Sequence, residues 1–443
     1  MPNTSGRPNI LFFFPDQLRF DWISNGRSDL PIRTPNLERL QKEGITFNRT
    51  LVASPVCAPS RATLALGVEY DNCPVQGNSD NVPLNANTLY KHLRDSGYHV
   101  MGCGKFDLNK GTCTSKQPAW GLDGKKHLAE WGFSDGINNE GKQDGKNSGR
   151  EKPQGPYMQF LEERGLREAH VADFDKRHKT AYFPTTLPDD CYGDNWICQN
   201  GLDLIDATPD DTPWFLQINI NGPHGPWDIT ENMVDLYNAE DMPIPYGKLE
   251  DPPEEYQGVR RNYSAMVENI DRWVGTYLDK LKERGERENT LIVFSSDHGE
   301  MLGDRDAWGK GKPYHPSASV PLIISGPGVQ QNAQNNLPMT HLDFTATFLD
   351  YAGLNTPTEM ESRSFKALLE GQTETHRDIV ISGLNNWRLA YDGRYKLIRY
   401  NNGDTELFDV ENNPEESINL TTDPDYREIQ NRLNKHLPKA YQL

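Results

Sequence analysis

Residues 54–67 read SPVCAPSRATLALG, in which a cysteine is followed at fixed spacing by proline, serine and arginine and then by an apolar run that ends in glycine. The apolar run and its closing glycine predict a helix that begins near Cys57 and ends at Gly67. The free amide groups and the dipole of such a helix favour an anion beside its first turn. By itself the segment leaves two interpretations open. Cys57 is either a reactive group or a buried structural cysteine on an ordinary strand-to-helix turn.

The pattern resembles the type I sulfatase signature of the alkaline phosphatase superfamily, Cys-x-Pro-Ser-Arg followed by Leu-x-Gly. The resemblance implies that a separate formylglycine-generating maturation enzyme oxidises Cys57 to formylglycine, an aldehyde that is hydrated to a geminal diol. One diol oxygen, bound to a divalent cation, would be ionised at neutral pH and attack the sulfur of a sulfate ester. Deprotonation of the second hydroxyl would then expel sulfate and regenerate the aldehyde, while Arg61 would hold the surroundings of the aldehyde.

The composition limits the classes of partner. The chain has 443 residues and a formal net charge of −18 at pH 7. This length accommodates one large core and a smaller appended domain. The negative charge argues against nucleic acid or an anionic membrane as a general partner, so an anionic substrate requires a locally positive site. No apolar run in the sequence approaches the roughly 18 residues needed to span a bilayer, and we expect no membrane partner.

The N-terminus and the cysteines indicate the cellular compartment of the protein. Residues 1–8 are polar and leave no room for the hydrophobic part of a signal peptide. We therefore expect a cytoplasmic protein, the alternative being a periplasmic or secreted protein whose leader has been removed. The cysteines lack the spacing of a zinc site or a disulfide framework. Apart from Cys57, the cysteines are expected to be structural: Cys73, Cys103, Cys113, Cys191 and Cys198.

Polar side chains follow two short apolar runs that are typical of buried strands. Residues 9–14 lead to Asp16 and Gln17, and a later run leads to Asp297 and His298. The carboxyl ends of parallel strands meet at one edge of a sheet, where such folds bind ligands. For Asp16 alone, a plain turn after a proline is an equally good interpretation.

The sulfatase resemblance makes these four residues metal ligands, together with an oxygen of modified Cys57. The family expectation is calcium, which prefers oxygen ligands. Most sulfatases have Asp at the position of Gln17 and Asn at that of His298. This chain therefore has one negative charge fewer and one nitrogen ligand more, which leaves manganese or another divalent transition metal open.

A second departure from the family lies after the strand predicted at residues 98–102. Sulfatases usually show Gly-Lys-x-His-Leu, and this chain has Gly-Lys-Phe-Asp-Leu, so Lys105 matches and Asp107 does not. The family's histidine is held to deprotonate the hemiacetal. Asp107 either takes over that proton or only orients Lys105, and the sequence leaves both open.

Two further matches concern the sulfate and the leaving group. The strand predicted at residues 214–220 ends in Gly-Pro-His-Gly-Pro, which resembles the sulfatase turn whose histidine faces the leaving group, here His224. Residues 309–314 match the family's Gly-Lys-Gly-x-x-Tyr element, in which Lys310 would bind a sulfate oxygen together with Lys105. A lone histidine in a proline-rich loop is often structural, but its place after a core strand favours a functional role for His224.

Residues 109–179 are polar and glycine-rich, and we predict an exposed loop at residues 141–146. The segment also contains aromatic and basic side chains that suit a sulfated sugar, although local packing explains each of them equally well: Trp120, His127, Trp131, His170 and His178. A small sulfated saccharide or oligosaccharide is therefore the expected substrate.

The pattern changes near residue 355, from strands alternating with helices to short strands joined by turns that contain glycine, then a closing helix at residues 424–439. We predict a catalytic domain at residues 1–355 and an α+β subdomain at residues 356–443. The resemblance implies an α/β fold of the alkaline phosphatase type. It consists of a mixed, mostly parallel sheet between helices, with a smaller C-terminal antiparallel sheet and helix.

These observations predict a sulfatase that hydrolyses sulfate monoesters, with a sulfated carbohydrate as the expected substrate. Two alternatives remain. Gln17 and His298 suit the related phosphonate monoester and phosphodiester hydrolases, which share formylglycine. Loss of the family's histidine at position 107 would suit a protein that binds sulfated glycans without turnover.

Overall fold

The structure, a computed structural model, describes residues 6–112, 119–209, 211–234 and 241–438. Cys113, predicted to be structural, lies outside these residues. The strands are β1 (Asn9–Phe13), β2 (Gly44–Phe47), β3 (Thr50–Leu51), β4 (His99–Gly104), β5 (Asp135–Asn138), β6 (Trp214–Asn219), β7 (Thr290–Phe294), β8 (Leu322–Ser325), β9 (Ala333–Asn335), β10 (Met339–Thr340), β11 (Val380–Leu384), β12 (Trp387–Tyr391), β13 (Tyr395–Tyr400) and β14 (Thr405–Asp409).

The α-helices are α1 (Pro35–Glu43), α2 (Cys57–Leu66), α3 (Leu89–Asp95), α4 (Leu128–Trp131), α5 (Lys142–Ser148), α6 (Pro156–Glu163), α7 (Arg167–Asp175), α8 (Gly193–Asp206), α9 (Glu231–Val234), α10 (Pro253–Glu283), α11 (His315–Ala318), α12 (Phe344–Tyr351), α13 (Lys366–Leu369) and α14 (Arg427–Asn434).

The main sheet has eight strands in the order β5-β4-β6-β1-β7-β8-β2-β9. The first five are mutually parallel, and β8 pairs antiparallel with both of its neighbours. Successive side chains of β1 point to opposite faces, because strand side chains alternate. Leu11 and Phe13 pack with α8 and α10, whereas Ile10 and Phe12 pack with α2, α3 and α12. This two-faced burial confirms the predicted sheet between helices.

The second sheet is antiparallel, in the order β11-β12-β13-β14. Leu433 of α14 packs on it against Leu397 and Leu407, which agrees with the expected small sheet and helix. The segment before β11 belongs to the larger core, since Phe365 and Leu369 are buried there. The exact boundary predicted at residue 355 stays a prediction.

The inserted segment is more regular than predicted. The expected loop at residues 141–146 is wrong, because Lys142–Ser148 forms α5, with Gly145 and Ser148 buried. The same segment supplies β5, an edge strand of the main sheet. Trp131 and His170 are buried, at 0% and 3% exposure; Trp131 belongs to the core beside the main sheet, and His170 packs against Tyr157 and Phe174. Among the described residues, no helix is both long and apolar enough to cross a membrane.

Candidate active site

Four loops converge where β4, β6, β1 and β7 end, because these strands are neighbours and parallel. The loops carry Lys105, His224, Asp16 and Asp297 respectively. Gly104 lets the β4 loop approach β6 closely, since a Cβ there would lie 2.0 Å from the carbonyl oxygen of Asn219. The sheet therefore brings together residues that lie up to 281 positions apart in sequence.

Cys57 is the first residue of α2 and is buried among these loops, with 1% of its surface exposed. Its Sγ lies 3.1 Å from Nζ of Lys310, 3.3 Å from Nε2 of His298, 3.5 Å from Nζ of Lys105 and 3.8 Å from Oδ1 of Asp16. Burial and Asp16 raise the pKa of the thiol, but the two lysines and His298 lower it to about 7. The environment of Cys57 thus favours negative charge at this position.

Ligand atoms of Asp16, Cys57, Asp297 and His298 all lie within 4.8 Å of one another, and all four side chains are buried. Nδ1 of His298 donates to the carbonyl of Gly299 at 2.9 Å. This bond leaves Nε2 facing Oδ1 of Asp16 and Oδ1 of Asp297, each 3.7 Å away. A lone pair on Nε2 that faces two carboxylate oxygens fits a divalent cation between them, and the bond from Nδ1 to the carbonyl of Gly299 holds the ring in that orientation.

Gln17, the fifth predicted ligand, lies beside this group with a positive φ of 70°. Its backbone N–H donates to Oδ1 of Asp297 at 3.0 Å. Its side-chain oxygen accepts a hydrogen bond from Lys310 at 2.7 Å, and its amide nitrogen donates to the buried Glu300. The amide oxygen of Gln17 therefore lies beside the proposed metal ligands, but in this structure it accepts a hydrogen bond from Lys310.

Arg61 lies one turn after Cys57 and holds the carboxylates of Asp16 and Asp297 in place. Its Nε donates to Oδ2 of Asp297 at 2.9 Å, and its NH2 lies 3.3 Å from Oδ2 of Asp16. Its NH1 donates to Oδ1 of Asn219 and to the carbonyl of Lys105, both at 2.8 Å. Burial alone would lower the pKa of Arg61, but the two aspartates raise it above the usual value. The buried cation is fully paired, as such groups must be.

Asp107 lies between two lysines. Its Oδ2 is 3.2 Å from Nζ of Lys105 and 2.9 Å from Nζ of Lys110. Lys105 also contacts Oδ2 of Asp16 at 2.5 Å. Burial raises the pKa of Asp107, but Lys105 and Lys110 outweigh it and hold that pKa below its usual value. A carboxylate in this setting orients lysines readily and accepts a proton poorly.

His224 and Lys310 line a cavity of about 160 Å³ above Cys57. Nδ1 of His224 donates to the carbonyl of Gly225 at 2.5 Å, which leaves Nε2 free to face a ligand. Burial, Lys310 and Lys105 together hold the pKa of His224 well below its usual value, despite the opposing charge of Asp16. A larger cavity of about 910 Å³ beside α8 and α10 contains none of these residues and is not the candidate.

Sequence reasoning missed several residues of the site. Asn78, Lys110, Asp144 and Asn221 line the cavity, and Glu300 holds Gln17. Lys110 follows Asp107 by three positions, and Glu300 follows His298 by two, so each could have been found as a polar neighbour of a matched motif. Asn78 and Asp144 lie in segments without a recognisable pattern, and only the folded chain brings them to Cys57.

A buried group of carboxylates and an imidazole that fits a divalent cation includes Cys57, and lysines line a small cavity beside it. On a mostly parallel α/β sheet, this arrangement defines a hydrolase site for tetrahedral oxyanion esters. Residues 8–354 match the family described as Sulfatase, and residues 303–442 match the one described as N-sulphoglucosamine sulphohydrolase, C-terminal. The chain belongs to the sulfatase family and is a sulfuric ester hydrolase.

Individual relatives agree with this assignment. The chain is 27% identical to an arylsulfatase of Clostridium perfringens, over 98% of this chain and 94% of the relative. It is 26% identical to an N-acetylglucosamine-6-O-sulfatase of Bacteroides thetaiotaomicron, over 98% of this chain and 86% of the relative. The phosphonate monoester hydrolase of Agrobacterium radiobacter has the same fold, with a TM-score of 0.80, 22% identity, and coverage of 96% and 94%. This likeness agrees with the fold expected from the sequence.

Proposed function

We propose that this chain hydrolyses sulfate monoesters of a carbohydrate, using a formylglycine made from Cys57 by a separate maturation enzyme. The observation that carries the proposal is the position of Sγ of Cys57, within 3.5 Å of two lysines and His298 at the start of α2. The hydrated aldehyde would supply the oxygen that attacks sulfur and would release sulfate when it reforms.

Asp16, Gln17, Asp297 and His298 would hold a divalent cation next to residue 57. When bound, such a cation lowers the pKa of a coordinated hydroxyl and neutralises developing charge. Calcium is the family expectation, and the imidazole of His298 makes manganese the main alternative. Arg61 keeps both carboxylates in place through its contacts with Asp297 and Asp16.

Lys105 and Lys310 would bind the sulfate oxygens. Their Nζ atoms lie 3.5 and 3.1 Å from Sγ of Cys57, from two different loops. Two cations on either side of the nucleophile position stabilise negative charge on sulfate oxygens as the ester bond breaks. Both are preorganised, because Lys105 pairs with Asp16 and Asp107 while Lys310 donates to Gln17.

His224 would donate a proton to the departing alcohol. Its Nδ1 is bonded to Gly225, so Nε2 is the atom that faces the cavity. The lysines that lower its pKa in the free enzyme become neutralised when a sulfate ester binds between them, which restores the affinity of His224 for a proton. A sugar alkoxide leaves poorly without that proton.

Asp107 would position Lys105 rather than act as the base. Its contacts with Lys105 and Lys110, and the lowered pKa that they cause, support this choice between the two predicted roles. Removal of the proton from the second hydroxyl of residue 57 then falls to another group or to solvent, since Asp107 remains an anion that is already paired.

A sulfated carbohydrate is the substrate class that we propose. The matched relatives include an N-acetylglucosamine-6-O-sulfatase, which is named for a sugar, and a choline-sulfatase, which is not. The cavity above Cys57 is lined mainly by lysine, amide, carboxylate and imidazole side chains, and its described lining residues include no Phe, Tyr or Trp. Such a lining suits hydroxyl groups better than an aryl ring.

Co-expression with a formylglycine-generating enzyme tests the proposal. Mass spectrometry of the peptide that contains Cys57 should show conversion of the thiol to an aldehyde. The same preparation should release inorganic sulfate from defined sulfated saccharides, and a Cys57→Ala variant should not. Conversion without sulfate release from any sulfate ester would refute the proposed activity.

Phosphodiester or phosphonate monoester hydrolysis is the second candidate, and Gln17 and His298 favour it. Relative to the usual sulfatase ligands, they give a less negative site with a nitrogen ligand. Assays of bis-4-nitrophenyl phosphate and 4-nitrophenyl sulfate on one formylglycine-containing preparation decide between the two. A kcat/KM that is higher for the phosphodiester would favour this alternative.

A further inference from the structure

Glu300 is a buried carboxylate without an assigned part in the proposed chemistry, and it lies beside a proposed metal ligand. It follows β7 and has no exposed surface. Among the described residues, its side chain accepts hydrogen bonds from three N–H groups. They are the backbone of Leu302 at 3.1 Å, the backbone of Gly309 at 2.5 Å and the amide nitrogen of Gln17. These donors replace the water that the carboxylate loses on burial.

The contacts of Glu300 close a ring that contains a proposed metal ligand and a proposed sulfate ligand. Oε2 of Glu300 accepts from the amide nitrogen of Gln17, and the amide oxygen of Gln17 accepts from Nζ of Lys310 at 2.7 Å. Lys310 directly follows Gly309, whose N–H donates to Oε1 of Glu300. One carboxylate therefore fixes both partners of the hydrogen bond between Gln17 and Lys310.

The charge of Glu300 decides which end of the Gln17 amide faces the proposed metal ligands. An ionised carboxylate only accepts hydrogen bonds, and an ammonium group only donates them. The amide of Gln17 lies between one of each, so only one of its two orientations satisfies both neighbours. In that orientation its oxygen faces Lys310, whose Nζ lies 3.1 Å from Sγ of Cys57 and 3.9 Å from Oδ1 of Asp16. The oxygen keeps a second lone pair for a cation.

We infer that Glu300 is a positioning residue, which turns the amide oxygen of Gln17 toward Lys310 and the proposed metal ligands. The inference rests on the proposed function, in which Gln17 is a metal ligand and Lys310 binds sulfate. It also accounts for the amide at position 17, where most sulfatases have aspartate. A second carboxylate at this position would face Glu300 with acceptor against acceptor and like charge against like charge. The amide at position 17 and the carboxylate at position 300 therefore require each other.

An exchange of the two side chains tests this dependence, since glutamine and glutamate have nearly the same shape. In Glu300→Gln, the two backbone N–H groups hold the remaining oxygen, so the new amide nitrogen faces Gln17. The Gln17 amide then turns its own nitrogen toward Lys310, donor against donor. In Gln17→Glu, two carboxylates face each other. The swap variant Gln17→Glu/Glu300→Gln restores a donor opposite an acceptor and leaves the net charge of the pair unchanged.

Metal binding to the protein with unmodified Cys57 is measured by isothermal titration calorimetry at pH 8, with calcium and in parallel with manganese. For the ion that wild type binds more tightly, each single variant should bind about 10- to 100-fold more weakly, the equivalent of one charge-assisted hydrogen bond. The swap variant should return to within about three-fold of wild type. On formylglycine-containing preparations, kcat/KM for 4-nitrophenyl sulfate should follow the same order.

The matched control changes another glutamate that lies next to the same strand. Glu286 lies before the start of β7, at the end opposite to Glu300, and pairs with Arg284 at 3.0 Å. Glu286→Gln should bind both ions as wild type does. Thermal unfolding in EDTA shows whether each variant is folded. If a single variant fails to fold, recovery of folding and metal binding in the swap variant supports the inference, and no recovery overturns it.

Four further results would overturn the inference. They are wild type that binds neither ion, Glu300→Gln that binds metal as tightly as wild type, Gln17→Glu that binds it more tightly, and losses that add in the swap variant. The third result would mean that residue 17 acts on the metal through its charge alone. Failure of the proposed function is distinguishable from these, because metal is titrated without turnover. In that case formylglycine-containing wild type would release no sulfate, while the swap variant would still recover metal affinity.

Discussion

Oδ2 of Asp107 lies 3.2 Å from Nζ of Lys105, at the position where sulfatases usually have a histidine. The same oxygen contacts Lys110 at 2.9 Å. A histidine could not pair with both cations, because a neutral imidazole carries no compensating charge. The exchange of histidine for aspartate and the presence of Lys110 therefore form one coupled feature of this chain.

The pH profile of an Asp107→Asn variant tests whether Asp107 positions Lys105. The variant should lose about 10- to 100-fold in kcat/KM, since a charge-assisted hydrogen bond is worth about 1.5–3 kcal/mol. The acidic limb of the pH–rate profile should not move, because the pKa of Asp107 is already below its usual value and the group stays charged. Asp135→Asn, which removes a surface salt bridge to Lys125, serves as the control. Disappearance of the acidic limb in Asp107→Asn would instead identify Asp107 as the base.

The role of His224 is tested by comparing leaving groups. His224→Ala should lower kcat/KM on a sugar sulfate by about 10²–10⁴-fold, the usual contribution of general acid catalysis. The loss on 4-nitrophenyl sulfate should be far smaller, because nitrophenolate leaves without a proton. Equal losses on both substrates would refute the assignment.

The pH dependence of the sugar reaction follows from the same residue. Burial and the lysines lower the pKa of His224 in the free enzyme, so it is protonated only at acidic pH. For the wild-type protein, kcat/KM on a sugar sulfate should rise continuously as the pH falls from about 8 toward about 5, because the protonated fraction of His224 increases throughout that range. This rise should be absent in His224→Ala. A wild-type profile that is flat across this range would contradict the prediction.

Metal binding should stabilise the folded protein. The carboxylates of Asp16 and Asp297 and Nε2 of His298 converge within the 4.8 Å cluster, and a cation at about 100 times its Kd adds about 2.7 kcal/mol. The Tm should fall in EDTA and recover with calcium or manganese, and the ion with the larger recovery is the better fit. Asp297→Ala should abolish the response. An unchanged Tm of the wild-type protein in EDTA and in both ions would argue against the site.

The strands and helices that depend on a local sequence pattern were predicted most accurately. The apolar run before Asp16 and the apolar helix after Cys57 are short-range signals, and the structure contains both elements at nearly the predicted bounds. The start of α10 at Pro253 has a weaker local signal. Its first turns are mostly polar and charged, with only Tyr256 and Val259 as large apolar residues, although proline at the first position is favourable.

The parts of the site that escaped prediction depend on tertiary contacts. Glycine and lysine at residues 141–146 are typical of a loop, yet α5 forms there because Gly145 and Ser148 pack inside the protein. Asn78 caps the start of α2 by accepting from the N–H of Ala58 at 3.1 Å. Neither contact has a signature in the sequence, because each depends on which distant segment lies opposite.

The last prediction concerns a buried ion pair that joins the smaller sheet to the loop that carries Lys310. Lys396 of β13 and Glu416 are both completely buried and contact each other directly. Nζ of Lys396 also donates to the carbonyl of Pro313 at 2.8 Å, three residues after Lys310. The second sheet thereby fixes the position of a proposed sulfate ligand, and Lys396→Met should raise KM as well as lower stability.

Lys396→Met leaves a buried carboxylate without its partner and should lower the free energy of unfolding by about 3–5 kcal/mol. The double variant Lys396→Met/Glu416→Gln should lose less, since no unpaired charge remains. Lys366→Met removes a half-exposed lysine 3.6 Å from Asp350 and should cost less than about 1 kcal/mol. Urea unfolding at pH 7 measures all three, and equal stability of Lys396→Met and wild type would contradict the prediction.

The contribution of the Lys396–Glu416 pair to the free energy of unfolding should depend on pH. Burial raises the pKa of Glu416, but Lys396 and His315 lower it to about 2, below the value of about 4.3 in an unfolded chain. The unfolded state therefore binds this proton first, and the stabilisation is complete above pH 5 and lost as the pH falls toward 2. The difference in unfolding free energy between wild type and the double variant should shrink from pH 7 to pH 3. A difference that stays constant would mean that Glu416 contributes through packing and not through its charge.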